Sequence, residues 1–405
     1  MRTAVLVGTL DTKGPEYAFV RDRLRDAGLS VITVDTGVLG EPAFAPDVSR
    51  ADVAAAAGAD LAELVAAADR GAAVLTMARG AAVVVRDLHA RGRLDGALAL
   101  GGTGGTSLAA EAFRGLPLGV PKLIVSTAAS GNTAAYIRET DLILMPSVVD
   151  VAGLNRISVR ILANAAGALA GMLGADAVPA SDGRPLVAAS MFGVTTPCVT
   201  RAKEDLERRG YEVLVFHMTG AGGRTLESLA EQGFLAGVLD VTTTELADNL
   251  VGGIFDAGDA RLTAAGARGL PQVVSVGALD MVNFGPMETV PPRFRDRNLY
   301  VHNATTTLMR TTPDECATLG ARLAAKVNAG TGPAAVFLPL RGVSAIAVEG
   351  GPFYDAEADR RLFDAVRAGL DNPAVELVEL DLAVNDPPFA DAMVEKLHSY
   401  VQAVP

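Results

Sequence analysis

Gly96-Ala97-Leu98-Ala99-Leu100 leads directly into Gly101-Gly102-Thr103-Gly104-Gly105-Thr106-Ser107, and a helical stretch, Leu108–Phe113, follows. An apolar run, a glycine-rich turn and a helical period in that order read as one strand–turn–helix step of an α/β sheet. Glycine permits positive φ and lets a ligand come close to the main chain. Successive N–H groups in such a turn can surround an anion, and the dipole of the following helix adds to the attraction. Thr103, Thr106 and Ser107 supply hydroxyl donors. The turn is not the dinucleotide fingerprint: Gly102 and Gly104 fit it, but Ser107 stands where the third glycine belongs. A phosphate-bearing ligand is expected here, in preference to a tight turn with no ligand.

The same grammar extends to both sides. Ala4–Gly8 is an apolar run closed by Thr9-Leu10-Asp11; Tyr17, Val20, Leu24 and Ala27 recur at helical spacing until Gly28; Val31–Asp35 is the next strand. Lys122–Val125 and Leu142–Met145 supply further strands. After the polar break Ser181-Asp182-Gly183-Arg184-Pro185 the opening repeats, with Leu186–Ser190 and Val213–Phe216 as strands. The displacement that sets Leu24 on Leu206 also sets Gly28 on Gly210 and Val31 on Val213, and Val120–Ser126 resembles Leu270–Val276. The expected fold is therefore α/β, with two Rossmann-like, doubly wound parallel-sheet subdomains. An N-terminal nucleotide-binding subdomain is expected over residues 1–180. A C-terminal subdomain with a second anion or substrate site is expected over 185–405. Ligands of open α/β sheets bind beyond the carboxyl ends of the strands, so a ligand cleft between the two is expected.

Composition narrows the function. At 405 residues, two domains are the natural expectation. Half of the residues are hydrophobic but only 5% are aromatic, so Ala, Val, Leu and Gly must build the core, as suits buried parallel strands. The formal charge of −12 argues against nucleic acid as a partner, whose backbone demands a basic patch. Cys198 and Cys316 form no CxxC pair, so neither a disulfide framework nor a zinc knuckle is expected. The apolar N-terminal stretch ends at Asp11, too early for a secretory signal, and Ile161–Leu173 falls short of the roughly 20 residues of a membrane span. No membrane partner and a cytoplasmic location are the expectations.

Three turns of the first half gather candidate ligand contacts. Beside Gly101, Gly102, Thr103, Gly104, Gly105 and Thr106 stand Ser126, Thr127, Ser130 and Gly131, which follow the next strand and would bind ligand or cap a helix. The turn Thr9–Gly14 adds Asp11, Thr12 and Lys13. Lys13 could reach a phosphate and Asp11 could hold Mg²⁺, directly or through water, although the order of glycine and lysine is not that of a P-loop.

In the second half, Gly220, Gly222, Gly223 and Thr225 form a further glycine turn, with Arg224 placed to grip a carboxylate or phosphate through two hydrogen bonds. Asp240, Glu245, Asp280 and His302 fall near strand ends, and parallel strands would deliver them with Arg224 to one acid–base or metal-binding cluster. Arg310 and Arg341 are additional anion anchors. Capping and salt bridging are the alternatives for each of these residues.

With these motifs in view, the sequence resembles a bacterial family related to the N-terminal ATP-binding domain of the tomato mosaic virus resistance protein. The resemblance rests on Leu10–Gly14, Gly101–Thr106, Ser126–Thr133, Gly220–Thr225, Asp240–Gly253, Gly277–Pro286, Leu308–Thr312 and Pro339–Asp359. It implies a two-subdomain α/β fold, ATP with Mg²⁺ as ligand and a homodimer, but no particular reaction. The leading expectation is an ATP-binding, nucleotide-dependent enzyme or enzyme component acting on a small anionic metabolite. A non-catalytic ATP-binding sensor or interaction module is the rival. An NAD(P)-dependent oxidoreductase is a third reading, suggested by the glycines alone.

Overall fold

The computed structural model describes residues 1–175 and 183–403. Two compact units, Met1–Pro179 and Ala180–Pro405, divide the chain. The break expected at Ser181 lies outside the described residues.

The sheet of the first unit holds β1 (Thr3–Gly8), β2 (Ser30–Asp35), β3 (Gly96–Gly101), β4 (Lys122–Ser126) and β5 (Ile143–Pro146). Their order is β2-β1-β3-β4-β5, and every neighbouring pair is parallel. Alternate residues of β1 enter different cores, as the pleat requires. Ala4 and Leu6 join Tyr17, Val20 and Leu24 of the helix Gly14–Asp26 and Leu162, Ala165 and Leu169 of the helix Ser158–Gly174. Val5 and Val7 instead join Met77, Ala81 and Val85 of the helix Arg70–Ala90 and Leu108 and Phe113 of the helix Thr103–Arg114. Helices on both faces leave no water-facing side on the central strands, which explains why they read as unbroken apolar runs.

Tyr17 sits where β1 and β3 part. Its hydroxyl bonds to Val7 O (2.7 Å) and Leu100 O (3.0 Å) and accepts the Leu100 N–H (2.9 Å), while Gly8 leaves the space that the ring fills. Tyr17→Phe would leave the buried Leu100 N–H without this acceptor and remove the single hydroxyl proton offered to Val7 O and Leu100 O. It should lower the unfolding free energy by about 2 kcal/mol, read as a shift in the denaturant midpoint at unchanged slope.

The second unit repeats the plan. β6 (Leu186–Met191), β7 (Glu212–His217), β8 (Gly237–Thr242), β9 (Gln272–Gly277), β13 (Ala334–Pro339) and β14 (Val375–Leu380) make one parallel sheet in the order β14-β13-β9-β8-β6-β7. Read from β7, this sequence of neighbours is that of the first sheet with one strand added. Between β9 and β13 the chain builds a separate antiparallel sheet of β10 (Met281–Phe284), β12 (Thr306–Arg310) and β11 (Leu299–Asn303), in the order β10-β12-β11. The strand-end argument for gathering His302 with Asp240 and Asp280 does not hold, because His302 lies on β11 of this antiparallel sheet and is exposed. Cys198 and Cys316 are both buried, and burial pushes their thiols up to about 12 and about 11.

Candidate functional site

Strand order fixes where the first unit can bind. β1 is followed by the helix Gly14–Asp26 on one face of the sheet, and β3 by the helix Thr103–Arg114 on the other. Two adjacent parallel strands whose connections leave in opposite directions open a crevice at their carboxyl ends. A cavity of about 690 Å³ lies there, lined by Thr9, Asp11, Thr12 and Lys13 after β1 and by Gly102, Thr103, Gly104 and Gly105 after β3. Thr36, Val38 and Leu39 after β2 contribute another side. Leu64, Val65, Val74 and Met77 form an apolar wall, with Arg70 at the start of their second helix. Sequence reasoning did not single out Thr36, Leu39 or Arg70, since none belongs to a recognisable motif, and it gave Thr9, the first residue of the turn Thr9–Gly14, no ligand role.

The helix after β3 begins earlier than Leu108. It starts at Thr103, because the Thr106 N–H and Oγ1 both donate to Gly102 O (2.8 Å each) and close the first turn. The glycine stretch is therefore the N-terminus of a helix, whose first N–H groups have no intrahelical acceptor. No side chain caps it. A Cβ added to Gly104 would meet no atom within 4 Å, and one on Gly102 only Thr127 Oγ1 at 3.7 Å. Neither residue has the positive φ that demands glycine. Internal packing needs glycine at Gly101, where a Cβ would come within 2.9 Å of Gly105 Cα, but not at Gly104.

The other candidates of this half divide. Lys13 Nζ donates to Val151 O, and Asp11 Oδ2 accepts the N–H groups of Leu39 (2.8 Å) and Gly40 (3.2 Å), so both tie loops while bordering the cavity. Thr12 Oγ1 pairs with Thr9 Oγ1 at 2.7 Å. Ser126 is wholly buried, shares a 2.6 Å hydrogen bond with Thr106 and caps the turn Thr127–Ser130 through Ala128 N–H. Its role is the capping alternative. Thr127 adjoins Gly102, whereas Ser130 and Gly131 are exposed and do not line the cavity. Asp35, at the end of β2, was also missed. Burial raises its pKa, with the nearby Asp11 carboxylate adding to the rise against the N–H groups of Gly37 and Leu10.

In the second unit the expected cluster separates into distinct groups. Asp240 and Glu245 meet on Arg261, a residue without a motif. Its guanidinium bonds both oxygens of Asp240 (2.5 and 2.6 Å), Glu245 Oε2 (2.7 Å) and Glu227 Oε1 (3.2 Å). Burial alone would pull the Arg261 pKa down, but the surrounding carboxylates raise it well above its ordinary value. Glu245 Oε1 also accepts the N–H groups of Gly220 (2.7 Å) and Gly223 (3.1 Å). Two donors of the second glycine turn are thus taken by the protein's own carboxylate. Gly222 and Gly223 are there for packing, since a Cβ would come within 2.0 Å of His217 O and 1.9 Å of Glu245 Oε2 respectively.

Arg224 Nη1 donates to Asp256 O (3.0 Å) and Thr225 Oγ1 to Ala221 O (2.8 Å). Asp280 is fully buried, accepts from Ser344 Oγ (2.9 Å) and lies near Arg310. Arg310 is buried as well, with donors to Phe353 O, Thr311 Oγ1 and Asp359 Oδ1 (2.6 Å), so the anion-anchor role expected of it is filled internally. Arg341 is exposed, pairs with Asp381 (3.1 Å) and borders a cavity of about 530 Å³ together with Arg360 and Arg367. Among the described residues, no group of three or more His, Cys, Asp or Glu could hold a metal ion, and no helix is long and apolar enough to cross a membrane.

Family models match both units: the N-terminal domain of uncharacterised protein family UPF0261 over residues 2–177, and its C-terminal domain over 184–401. The chain belongs to the UPF0261 family. A UPF0261 protein of Clostridium tetani is 48% identical over 97% of this chain and 97% of its own length. The ToMV resistance protein Tm-1(GCR237) of Solanum lycopersicum is 40% identical over 96% of this chain and 54% of its own length. The tomato relationship expected from the motifs is thereby established. Among solved structures, an S. aureus MnaA–UDP complex aligns over 94% of this UPF0261 chain and 100% of its own, at 10% identity and a TM-score of 0.24. That score supports no inference about fold or ligand.

Proposed function

We propose that the first unit binds a phosphorylated nucleotide, ATP accompanied by Mg²⁺, in the crevice between β1 and β3. The observation that carries this reading is Gly104. It stands in the uncapped first turn of a helix, beside a cavity, where the fold itself would accept a side chain. Bare N–H groups at a helix N-terminus favour an anion, and room left above them favours one that approaches the backbone. Hydroxyls of Thr9, Thr12 and Thr103 and the Arg70 side chain supply polar contacts, and the wall of Leu64, Val65, Val74 and Met77 suits a flat apolar group such as a base. ATP, rather than another nucleotide, follows from the resemblance carried by the Leu10–Gly14 and Gly101–Thr106 motifs.

The commitments of Asp240, Glu245 and Arg310 to internal ion pairs favour a non-catalytic ATP-binding sensor or interaction module over an enzyme. For a small anionic metabolite, the cavity beside Arg341, Arg360 and Arg367 is the better-suited place in the second unit. A homodimer and a cytoplasmic setting belong to the same proposal. Calorimetric titration of the full chain is the test. Mg-ATP is expected to give saturable heat at one site per chain. Heat from NADH but not from Mg-ATP would overturn the reading in favour of the oxidoreductase. Phosphate release from bound ATP would restore the enzyme, and sedimentation velocity reads the dimer.

A further inference from the structure

We infer that Asp11, Asp35 and Thr36 form a divalent-cation site at the edge of the crevice, one that takes Mg²⁺ or Mn²⁺ with or without a nucleotide. Three side-chain oxygens here are buried and have no hydrogen-bond partner: Asp11 Oδ1, Asp35 Oδ2 and Thr36 Oγ1. Asp35 and Thr36 are almost wholly inaccessible, at 0% and 2% exposure. A buried polar atom left unsatisfied costs about 1–3 kcal/mol, so a group of them calls for an explanation.

The residues that carry these oxygens are neighbours. Each carboxylate spends one oxygen on main-chain N–H groups and leaves the other open. Asp35 Oδ1 accepts the N–H groups of Leu10 (3.1 Å) and Gly37 (2.9 Å), and Asp11 Oδ2 accepts those of Leu39 (2.8 Å) and Gly40 (3.2 Å). Gly37 joins the two carboxylates: it donates to Asp35, and a Cβ on it would lie 2.6 Å from Asp11 Oδ1. Thr36 follows Asp35 in the chain and is held by its N–H to Gly8 O (2.9 Å), and both Thr36 and Asp11 border the cavity.

The Arg50 charge acts on Asp35 from a distance, but no basic side chain is hydrogen-bonded to the three open oxygens. Lys13 Nζ is bonded to Val151 O, and Arg50 to Gly40 O and Glu41 Oε1. Two carboxylates and a hydroxyl are hard oxygen donors whose charge matches a divalent ion, with water completing the six-fold shell that Mg²⁺ keeps. The inference rests on the nucleotide reading only in setting the cation near the phosphates.

Mn²⁺ alone is the probe, added to the full chain without nucleotide and followed by loss of the free-ion paramagnetic resonance signal and by thermal unfolding. The wild type should bind one ion per chain and unfold at a higher temperature when it is present. Asp35→Asn keeps the acceptor for Leu10 and Gly37 while removing one charge from the pair. Its metal-free form should unfold no earlier than the wild type, yet bind Mn²⁺ at least about tenfold more weakly. Thr36→Val should weaken binding and Thr36→Ser restore it, which guards against a folding defect in Asp35→Asn. Absence of Mn²⁺ binding by the wild type without nucleotide, or unchanged affinity in Asp35→Asn, would overturn the site. Mn²⁺ binding without any ATP binding would leave the cation site standing and remove the nucleotide reading. ATP binding with no independent Mn²⁺ binding would do the reverse.

Discussion

Mg-ATP titrated into Gly104→Val protein should give no saturable heat at concentrations that saturate the wild type, while the variant stays folded. The two halves of that expectation come from one geometric fact. Apart from its chain neighbours and its own helix backbone, no protein atom lies within 4 Å of the position a Cβ would take at Gly104, so packing against the rest of the fold does not oppose a side chain there. Glycine is also a poor helix residue, and Gly104→Ala should stabilise the chain by up to about 1 kcal/mol. A phosphate seated on the first-turn N–H groups would be displaced by the valine methyls. Losing two charge-assisted hydrogen bonds, at about 1.5 kcal/mol each, weakens binding by at least about a hundredfold. Gly102→Val should behave alike, since its nearest contact would be an ordinary one. Gly222→Val is the opposite control: its Cβ would come within 2.0 Å of His217 O, so it should unfold the second unit's turn. Circular dichroism and thermal melts separate these cases. Undiminished ATP affinity in folded Gly104→Val protein would move the site out of this crevice.

The contrast between Gly104 and Gly222 also marks how far the sequence could be read. Both glycine turns show the same letters, strand then glycines then helix, and both promise open N–H groups. Whether those groups face a cavity or a carboxylate of the same chain depends on Glu245, more than twenty residues from Gly220. The parallel strands were legible because they are buried on both faces and cannot hide their apolar character. The antiparallel insertion of β10, β11 and β12 was not, because its short strands resemble the loop ends of a parallel sheet, and His302 was misplaced with it. Asp35 and Thr36 looked like the polar close of a strand. Their significance lies in the oxygens left without partners, which no pattern of residue types reveals. Arg261 is the strongest case. A charged residue among Gly258, Asp259 and Ala260 reads as a solvated loop, yet only 1% of it is exposed.

That burial sets the largest expected effect on stability, in Arg261→Met. The substitution keeps an unbranched apolar stem but removes the one guanidinium that Asp240, Glu245 and Glu227 share. Three carboxylates would then lie buried beside one another without their cation. Breaking a single buried pair from one side costs about 3–5 kcal/mol, and here three acceptors lose their partner, so unfolding of the second unit at neutral pH is the expected result. The pH dependence identifies the cause. Burial already raises the Glu245 pKa, and Arg261 is the charge that opposes the rise, so without it the folded variant binds more protons at this site than the unfolded chain. Its deficit relative to the wild type should therefore be greatest near about pH 8 and shrink as pH falls towards about 5. A deficit that does not change over this range would mean that lost packing, not uncompensated charge, is responsible. Asp240→Asn supplies the functional half of the test. The amide can still accept from Ser190 Oγ, which lies 2.6 Å from Asp240 Oδ1, and Arg261 retains Glu245 and Glu227. A structural Asp240 therefore predicts a milder loss, about 1–3 kcal/mol, read in the melting temperature. A catalytic Asp240 predicts an unchanged melt and abolished turnover, so a melt that does not move would return Asp240 to the active-site role its position at the end of β8 first suggested.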